Sequence, residues 1–531
     1  MSTVLDQPSL HVPLHRIPVP KKRWWTADRA LGVALAALGA TVVAWGLNLF
    51  PALLGDEGIY TSQAFSTLHG ELTPYTYTYD HPFAGWLQLA PLQGLVRLFA
   101  GNDELMVVSG RVVMVAYAFV SLLFVFHIAR RLGIRRVYAG LAVLLLTLSP
   151  LYITESREVL LDNIALPWVL GAFYLALTPS RRQWLYGLSG MMFGVGVLSK
   201  ETVVIVLPAL AYVIWTRAYR PIRSMSIASF VTLGTMVVLS YPLFALLRNE
   251  LLPGPRHVSL WSNGIMYQLA SRKGSGFVFQ PGSARAGLVH QWLALDTVIL
   301  AVGFGSAVAC LFIARVRFIG LAIFLWALPV LKPGGYLPQM YVVLVIPFCA
   351  LAAAGVVDAV GNGLARTRGS RVTTRLLPVL VAVAAVIGLV NYIPKVRHIT
   401  TDRGNNQVAV TAQAEAYLKT RITKADNVLV DPSYWGDLVV AGLNHPWQGA
   451  IVYYQFDLDP LSSGQYMPQG WQDVDYVVET NEMRDNLTAL GLTKLSAAIK
   501  HSTVVARFGS GGTLVLVRAV EATPYNQKGV R

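Results

Sequence analysis

Gly55-Asp56-Glu57-Gly58-Ile59-Tyr60 sets two adjacent carboxylates directly after the first long apolar run of the chain, residues 30–54. Ionisable side chains at the edge of a hydrocarbon slab are costly unless they face water, a partner or a substrate. The pair therefore reads either as solvated charge on a loop beside a membrane or as part of a site. A second polar knot, Tyr79-Asp80-His81-Pro82-Phe83, follows on the same loop. It leads into an amphipathic run over 83–99 that reads as a helix lying along the membrane surface. Two such knots on one loop shift the reading towards a site.

Working outward, composition fixes the class. The 531 residues are 54% hydrophobic and 13% charged, with mean hydropathy +0.50, too apolar and too sparsely charged for a water-soluble enzyme of this length. The chain reads as a polytopic membrane protein. Its formal net charge of +15 does not indicate nucleic-acid binding, because the basic residues fall in short clusters between apolar runs. Cys310 and Cys349 sit inside apolar runs and read as small hydrophobes.

A polar, basic tail (1–29) ends near Lys21-Lys22-Arg23, and the run after it is too long for the core of a cleaved signal peptide. It reads as an uncleaved anchor. Further spans are expected at 105–128, 137–153, 160–177, 185–198, 202–215, 225–247, 290–314, 318–331, 338–357 and 376–393, making about eleven, several of them short. Basic clusters at 21–23, 130–136, 181–182, 217–223, 315–317 and 366–375 occupy every second gap, as cytoplasmic loops should. The N-terminus is then cytoplasmic in a plasma membrane. Everything after Ile393 is exoplasmic.

The exoplasmic gaps collect the chemistry. They hold Asp56-Glu57, Asp80-His81, Glu155 to Glu158, Ser199-Lys200-Glu201, a long loop at 248–289, and Lys332-Pro333-Gly334-Gly335-Tyr336. For Arg157 the local alternative is a pair with Asp162 or a snorkelling side chain, and for Lys200 a hairpin cap. Arg272 and Lys273 stand in a Gly/Ser-bearing loop that also reads as plain linker. The transmembrane part is thus 30–393, with exoplasmic loops at 55–104 and 248–289.

From 394 to 531 the composition is that of a water-soluble α/β module: a helix over 407–421 and strands over 427–431, 450–455, 474–479, 503–508 and 513–519, the last two joined as a hairpin through Gly509-Ser510-Gly511-Gly512. It contains no GxGxxG, P-loop, HExxH or CxxC pattern. No internal repeat marks the paired halves of a transporter. The ionisable residues gather at one mouth, whereas a channel or transporter would place them at the midplane. A silent scaffold displaying the C-terminal module is the third class to separate.

The order of these motifs resembles the GT-C glycosyltransferases. It is most similar to the protein O-mannosyltransferase and lipid A aminoarabinose transferase group, which moves one sugar from a polyprenyl-phosphate carrier to an exoplasmic acceptor. By that resemblance Asp56 matches the catalytic acidic residue at the start of the first exoplasmic loop and Glu57 its neighbour. Asp80-His81-Pro82 resembles the family's His-Pro-Pro segment, with Phe83 in place of the second proline. Arg157 with Asp162, and Lys200, resemble the family's Arg/Asp pairing and its lysine between middle spans. The loop at 248–289 is too short for the large inserted domain of eukaryotic protein mannosyltransferases.

The chemistry of the residues agrees. An alcohol needs a base as it attacks, which Asp56 supplies, and the departing phosphate needs positive charge, from Arg157 and Lys200 with His81. Asp80, Asp162 and Tyr60 support these groups, and Arg272, Lys273, Lys332 and Tyr336 belong to a donor or acceptor loop. Two roles stay open for Glu57: raising a neighbouring carboxyl by like charge, or holding a divalent cation with His81. No obligatory metal is expected. The implied partners are a polyprenyl-phosphate sugar donor, the bilayer and an exoplasmic acceptor, with no nucleic acid.

Overall fold

Apolar runs dictate a helical bundle, and the computed structural model describes residues 26–75, 79–100, 105–178, 182–254, 257–366, 388, 392–401, 406–442, 450–459, 464 and 467–521. Its helices in order are α1 (Ala27–Ala44), α2 (Gly55–Leu68), α3 (Ala84–Ala100), α4 (Met106–Arg131), α5 (Arg136–Leu148), α6 (Pro150–Arg157), α7 (Leu161–Ala176), α8 (Trp184–Ser199), α9 (Leu207–Arg217), α10 (Arg223–Leu247), α11 (Ala284–Phe312), α12 (Arg317–Leu331) and α13 (Ile346–Arg366). Among the described residues five helical segments are long and apolar enough to cross a membrane: α1, α4, Arg220–Leu247, α11 and Gln339–Gly363. Helices α7, α8 and α12 are apolar but shorter. The basic tail up to residue 25 and most of the 376–393 span lie outside the described residues.

The expected span at 137–153 is broken. Helices α5 and α6 meet at 65°, because Ser149 caps α6 by accepting the Tyr152 N–H and Pro150 begins it. The expected span at 202–215 likewise splits into a 3-10 segment, Glu201–Val206, and α9. Small residues let α8 and α10 approach closely: a Cβ on Gly190 of α8 would collide with the Phe230 carbonyl of α10, and one on Gly194 would lie 2.9 Å from the Gly234 carbonyl. The amphipathic run is helix α3, with Leu98 and Phe99 exposed and Trp86, Leu89 and Ala90 buried.

Beyond residue 406 the chain forms a five-stranded sheet of order β2-β1-β3-β5-β4, from β1 (Val428–Val430), β2 (Ala450–Val452), β3 (Tyr476–Glu479), β4 (Ser502–Phe508) and β5 (Val515–Val520). Strands β2, β1 and β3 are parallel, and β5 pairs antiparallel with β3 and β4. Alternation along β1 sends Val428 and Val430 to one face with Tyr434 and Trp435, and Leu429 to the other with Met483 and Leu495. All five strands and the hairpin match the sequence expectation. Helices Pro432–Val440, Asn481–Ala489 and Thr493–Lys500 are additions.

The α/β unit is seated on the first loop. Gly58 of α2 has no room for a Cβ against the Pro432–Ser433 backbone, the Ser62 hydroxyl donates to the Pro432 carbonyl at 3.4 Å, and Asp437 accepts the Met106 N–H at 2.8 Å.

Candidate active site

The Asp-Glu stretch, expected on a loop, is the first turn of α2. Consecutive helical residues point about 100° apart, so the two carboxylates face different surroundings. Asp56 lines a cavity. Glu57 is buried, its oxygens taking the Arg111 Nε and Nη2 at 2.8 and 2.6 Å, the Leu54 N–H at 3.2 Å and the Val159 N–H at 3.0 Å. Arg111 in turn donates to the carbonyls of Leu47, Pro51 and Ala52. Glu57 is therefore removed from the catalytic pair and from any cation site shared with His81. It anchors the loop that delivers Asp56.

The cavity, about 120 Å³, is lined by Asp56, Ile59, Tyr60 and Gln63 from α2, by Tyr79, Asp80, His81 and Trp86, and by Tyr267, Gln268 and Arg272. Tyr79 adopts φ +62°, a left-handed conformation unusual for a bulky residue, and three contacts hold it there. Its hydroxyl donates to Glu250 Oε2 at 2.5 Å, its carbonyl accepts from the Tyr241 hydroxyl at 3.3 Å, and Gly264 lies beneath its backbone. The turn aims Asp80 and His81 into the cavity. Burial first, then the charges of Asp56 and Asp162, hold the Tyr60 phenol well above its ordinary pKa, which keeps it an O–H donor.

His81 is fixed by two neighbours. Lys200 Nζ lies 3.1 Å from Nε2, and Nδ1 lies 3.1 Å from both Glu201 oxygens. An ammonium donating to Nε2 leaves the proton on Nδ1, facing Glu201. Lys200 is itself buried, with Asp162 Oδ2 at 3.8 Å, so it stands behind the cavity wall rather than in it. Asp162 thus pairs with Lys200, and not with Arg157 as expected.

Arg157 does not reach the cavity. Its guanidinium donates to the carbonyls of Val42, Val43, Trp45, Phe50 and Ile399, closing the C-terminal end of α1 and the loop after it. All its donor directions go to backbone, so its expected contact with phosphate is corrected to an anchoring role. The cation that lines the cavity is Arg272, which follows a π-helical segment, Leu260–Ser271. Such segments are rare and concentrate at functional sites. Arg272 stacks 3.5 Å over the Tyr336 ring and donates to Gln268 Oε1 at 3.0 Å.

The two loops expected to act together are joined. Ser275 N–H donates to the Gly335 carbonyl at 2.9 Å, and buried Arg285 gathers the carbonyls of Pro329, Lys332, Gly334 and Gly335. Lys273 and Lys332 are exposed beside this junction rather than in the cavity. Among the described residues no three His, Cys, Asp or Glu side chains converge to hold a metal ion. A larger, open groove of about 820 Å³ between α2, α3 and the helix Pro432–Val440 has a mainly apolar lining, with Glu71 and Arg97 among its residues, and includes none of Asp56, Asp80, His81 and Arg272.

The Dolichyl-phosphate-mannose-protein mannosyltransferase family model matches residues 80–244, which include Asp80, His81, Asp162, Lys200 and Tyr241. Among solved structures, ArnT from Cupriavidus metallidurans bound to undecaprenyl phosphate superposes with TM-score 0.56 at 15% identity, over 93% of this chain and 98% of that one. The chain has the fold of the GT-C glycosyltransferases. The apo form of the same ArnT gives 0.52 at 16% identity, covering 94% and 99%. The oligosaccharyltransferase AglB from Archaeoglobus fulgidus, in complex with an inhibitory peptide and a dolichol-phosphate, also gives 0.52, at 13% identity over 94% of this chain and 74% of that one. Among curated proteins none matches the sequence.

Within this GT-C fold, the residues that sequence reasoning missed are Arg111, Tyr241, Glu250, Gln268 and Arg285. Arg111 was visible as an arginine inside an expected span and Arg285 as one just ahead of another, the ordinary mark of a charge with a fixed partner. Tyr241, Glu250 and Gln268 carried no local signal.

Proposed function

We propose that this chain is an integral-membrane, inverting glycosyltransferase that moves a sugar from a polyprenyl-phosphate donor to an exoplasmic acceptor. The observation that carries this reading is the lining of one small cavity by both the Asp56 carboxylate and the Arg272 guanidinium, together with His81, which Lys200 backs. The chain crosses a plasma membrane eleven times with its N-terminus cytoplasmic. The short helices α7, α8 and α12, the bent α5–α6 pair, the Glu201–Arg217 segment and 376–393 count as crossings. The cavity and the water-soluble α/β unit then lie on the exoplasmic side.

In the reaction the acceptor oxygen forms a bond to the anomeric carbon while the bond from that carbon to the phosphate oxygen breaks. Asp56 takes the acceptor proton. The electron pair leaves on the polyprenyl phosphate, whose added charge Arg272 meets as a fork, with Lys200 adding positive potential from behind His81. Phosphate is a good leaving group and needs no acid. Direct displacement inverts the anomeric centre. A metal is not required by these steps, since the guanidinium and ammonium supply the charge.

Purified protein is supplied with a labelled polyprenyl-phosphate sugar and envelope membranes. Release of polyprenyl phosphate with transfer of label is the expected result, and the product linkage read by NMR is inverted. Failure to consume any lipid-phosphate sugar would leave a transporter or scaffold, and retained configuration would remove the single-displacement mechanism.

A further inference from the structure

The cavity at Asp56 continues into a second one of about 60 Å³, the two sharing Ile59, Gln63 and Asp80. The second is closed on its far side by the α/β unit, through Tyr454, Gln455 and Val452. Asp56, Ile59 or Tyr60, and Gln63 are spaced i, i+3 or i+4, i+7, so one face of α2 runs through both. From Asp56 to Gln63 that face rises about 10 Å. Along it the charge separates. Arg272 and the His81–Lys200 pair stand at the Asp56 end, whereas the described residues lining the second cavity include one carboxylate, Asp80, and no cation.

Resting on the glycosyltransferase reading, we propose that the second cavity is the acceptor site and that it takes a neutral carbohydrate hydroxyl, not a phosphorylated acceptor and not a peptide. Gln63 Oε1 is shut from solvent and has no hydrogen-bond partner among the described residues, a buried acceptor atom that a bound hydroxyl would satisfy. Beside it Thr73, Tyr454 and Gln455 present a hydroxyl, a phenol and an amide, the mixture that suits a polyhydroxylated ring. An anionic acceptor would bring its charge between Asp56 and Asp80 without a counter-ion on that side. A peptide would be drawn to the free edge of β2. There the Val452 N–H donates at 2.6 Å to the Tyr75 hydroxyl, so the edge donor at the cavity is already used.

The full-length protein and a labelled polyprenyl-phosphate sugar are incubated with membranes from cells lacking the protein, and the products are separated into neutral glycan, phosphate-bearing glycan or lipid, and protein. Label in neutral glycan is expected. Tyr454→Ala and Gln455→Ala, which line the second cavity and not the first, then raise the KM for that purified glycan about tenfold or more, the loss of one or two hydrogen bonds, while donor hydrolysis in its absence keeps its rate. Label chiefly in the phosphate-bearing or protein fraction overturns the proposal. So does an equal fall in donor hydrolysis in both variants, which would place these residues with the donor. Absence of any donor turnover, with or without membranes, instead rejects the glycosyltransferase reading itself.

Discussion

Replacing Asp56 by Asn keeps the side chain's shape and removes its capacity to take a proton, so it isolates base function from packing. Transfer is expected to fall about 10² to 10⁴-fold with donor binding intact, measured as rate with a labelled polyprenyl-phosphate sugar; near-native transfer would return Asp56 to ordinary surface charge. Glu57→Gln behaves differently, because its carboxylate binds Arg111 and two backbone N–H groups in the core. Its loss appears as a lower unfolding temperature. The sequence put both carboxylates at one site but could not separate them, since the separation comes from α2 beginning at Gly55 and rotating its second acid inward. Arg157 and Arg272 were confused for a similar reason. Both lie near apolar segments, and only packing shows which guanidinium is left to meet a ligand. Arg272→Ala is expected to lower turnover efficiency ten- to a hundredfold, about 1.5 to 3 kcal/mol of charge-assisted contact, with the unfolding temperature unchanged. Normal efficiency in that variant would remove the phosphate contact.

The short segment between α1 and α2 is held by two buried arginines from different helices, and this makes it the element on which the site's geometry depends. Arg111 of α4 binds its carbonyls at Leu47, Pro51 and Ala52, and Arg157 of α6 binds those at Trp45 and Phe50. Arg157→Ala strips five carbonyls of a donor and is expected to cost on the order of 3 kcal/mol of stability, read by thermal unfolding in detergent. Arg157→Lys does not restore it, because three donors on a flexible stem cannot cover the fork's five contacts. A stable Arg157→Ala protein with lost donor affinity would restore the phosphate role. Hydropathy and β-branched runs made most helices, the surface helix α3 and all five strands legible. The breaks at Ser149 and at Val206–Leu207 were not, because an apolar run looks the same straight or bent, although Ser149-Pro150 is a helix-start signal in hindsight. The short helices Pro432–Val440 and Asn481–Ala489 carried readable caps in Asp431 and Thr480, obscured by their length.

At the scale of the whole molecule, the α/β unit and the membrane part meet at buried Asp437 and half-buried Glu482, and their union is expected to depend on pH. Topology comes first: a reporter active only in the cytoplasm is expected to be silent when fused after Gly404, and activity there would overturn the odd number of crossings. At the junction, burial and the nearby Glu415 push Asp437 up to about 7, against the Met106 N–H, Arg97 and Lys419, which oppose the shift. Burial, Asp431 and Asp56 push Glu482, whose carboxyl lies against Gly55 at the start of α2, up to about 8. Both acids hold protons in the folded protein at pH values where the unfolded chain, near 4, has released them. Their contribution to stability is complete below about pH 4 and is lost as pH rises to about 7 and 8, by at most about 1.4 kcal/mol per pH unit for each group. Glu415 and Asp431 beside them are raised by burial as well, so the window from pH 5 to 8 reports on the acid cluster at the junction. Hydrogen exchange over Gly55–Leu68 and Pro432–Val440 is therefore expected to quicken from pH 5 to pH 8, after correction for the intrinsic rate. Asp437→Asn and Glu482→Gln together should flatten that dependence while both segments stay folded. A wild-type protein whose protection is unchanged across the window would show that the two acids are not proton-linked to the docking of the α/β unit.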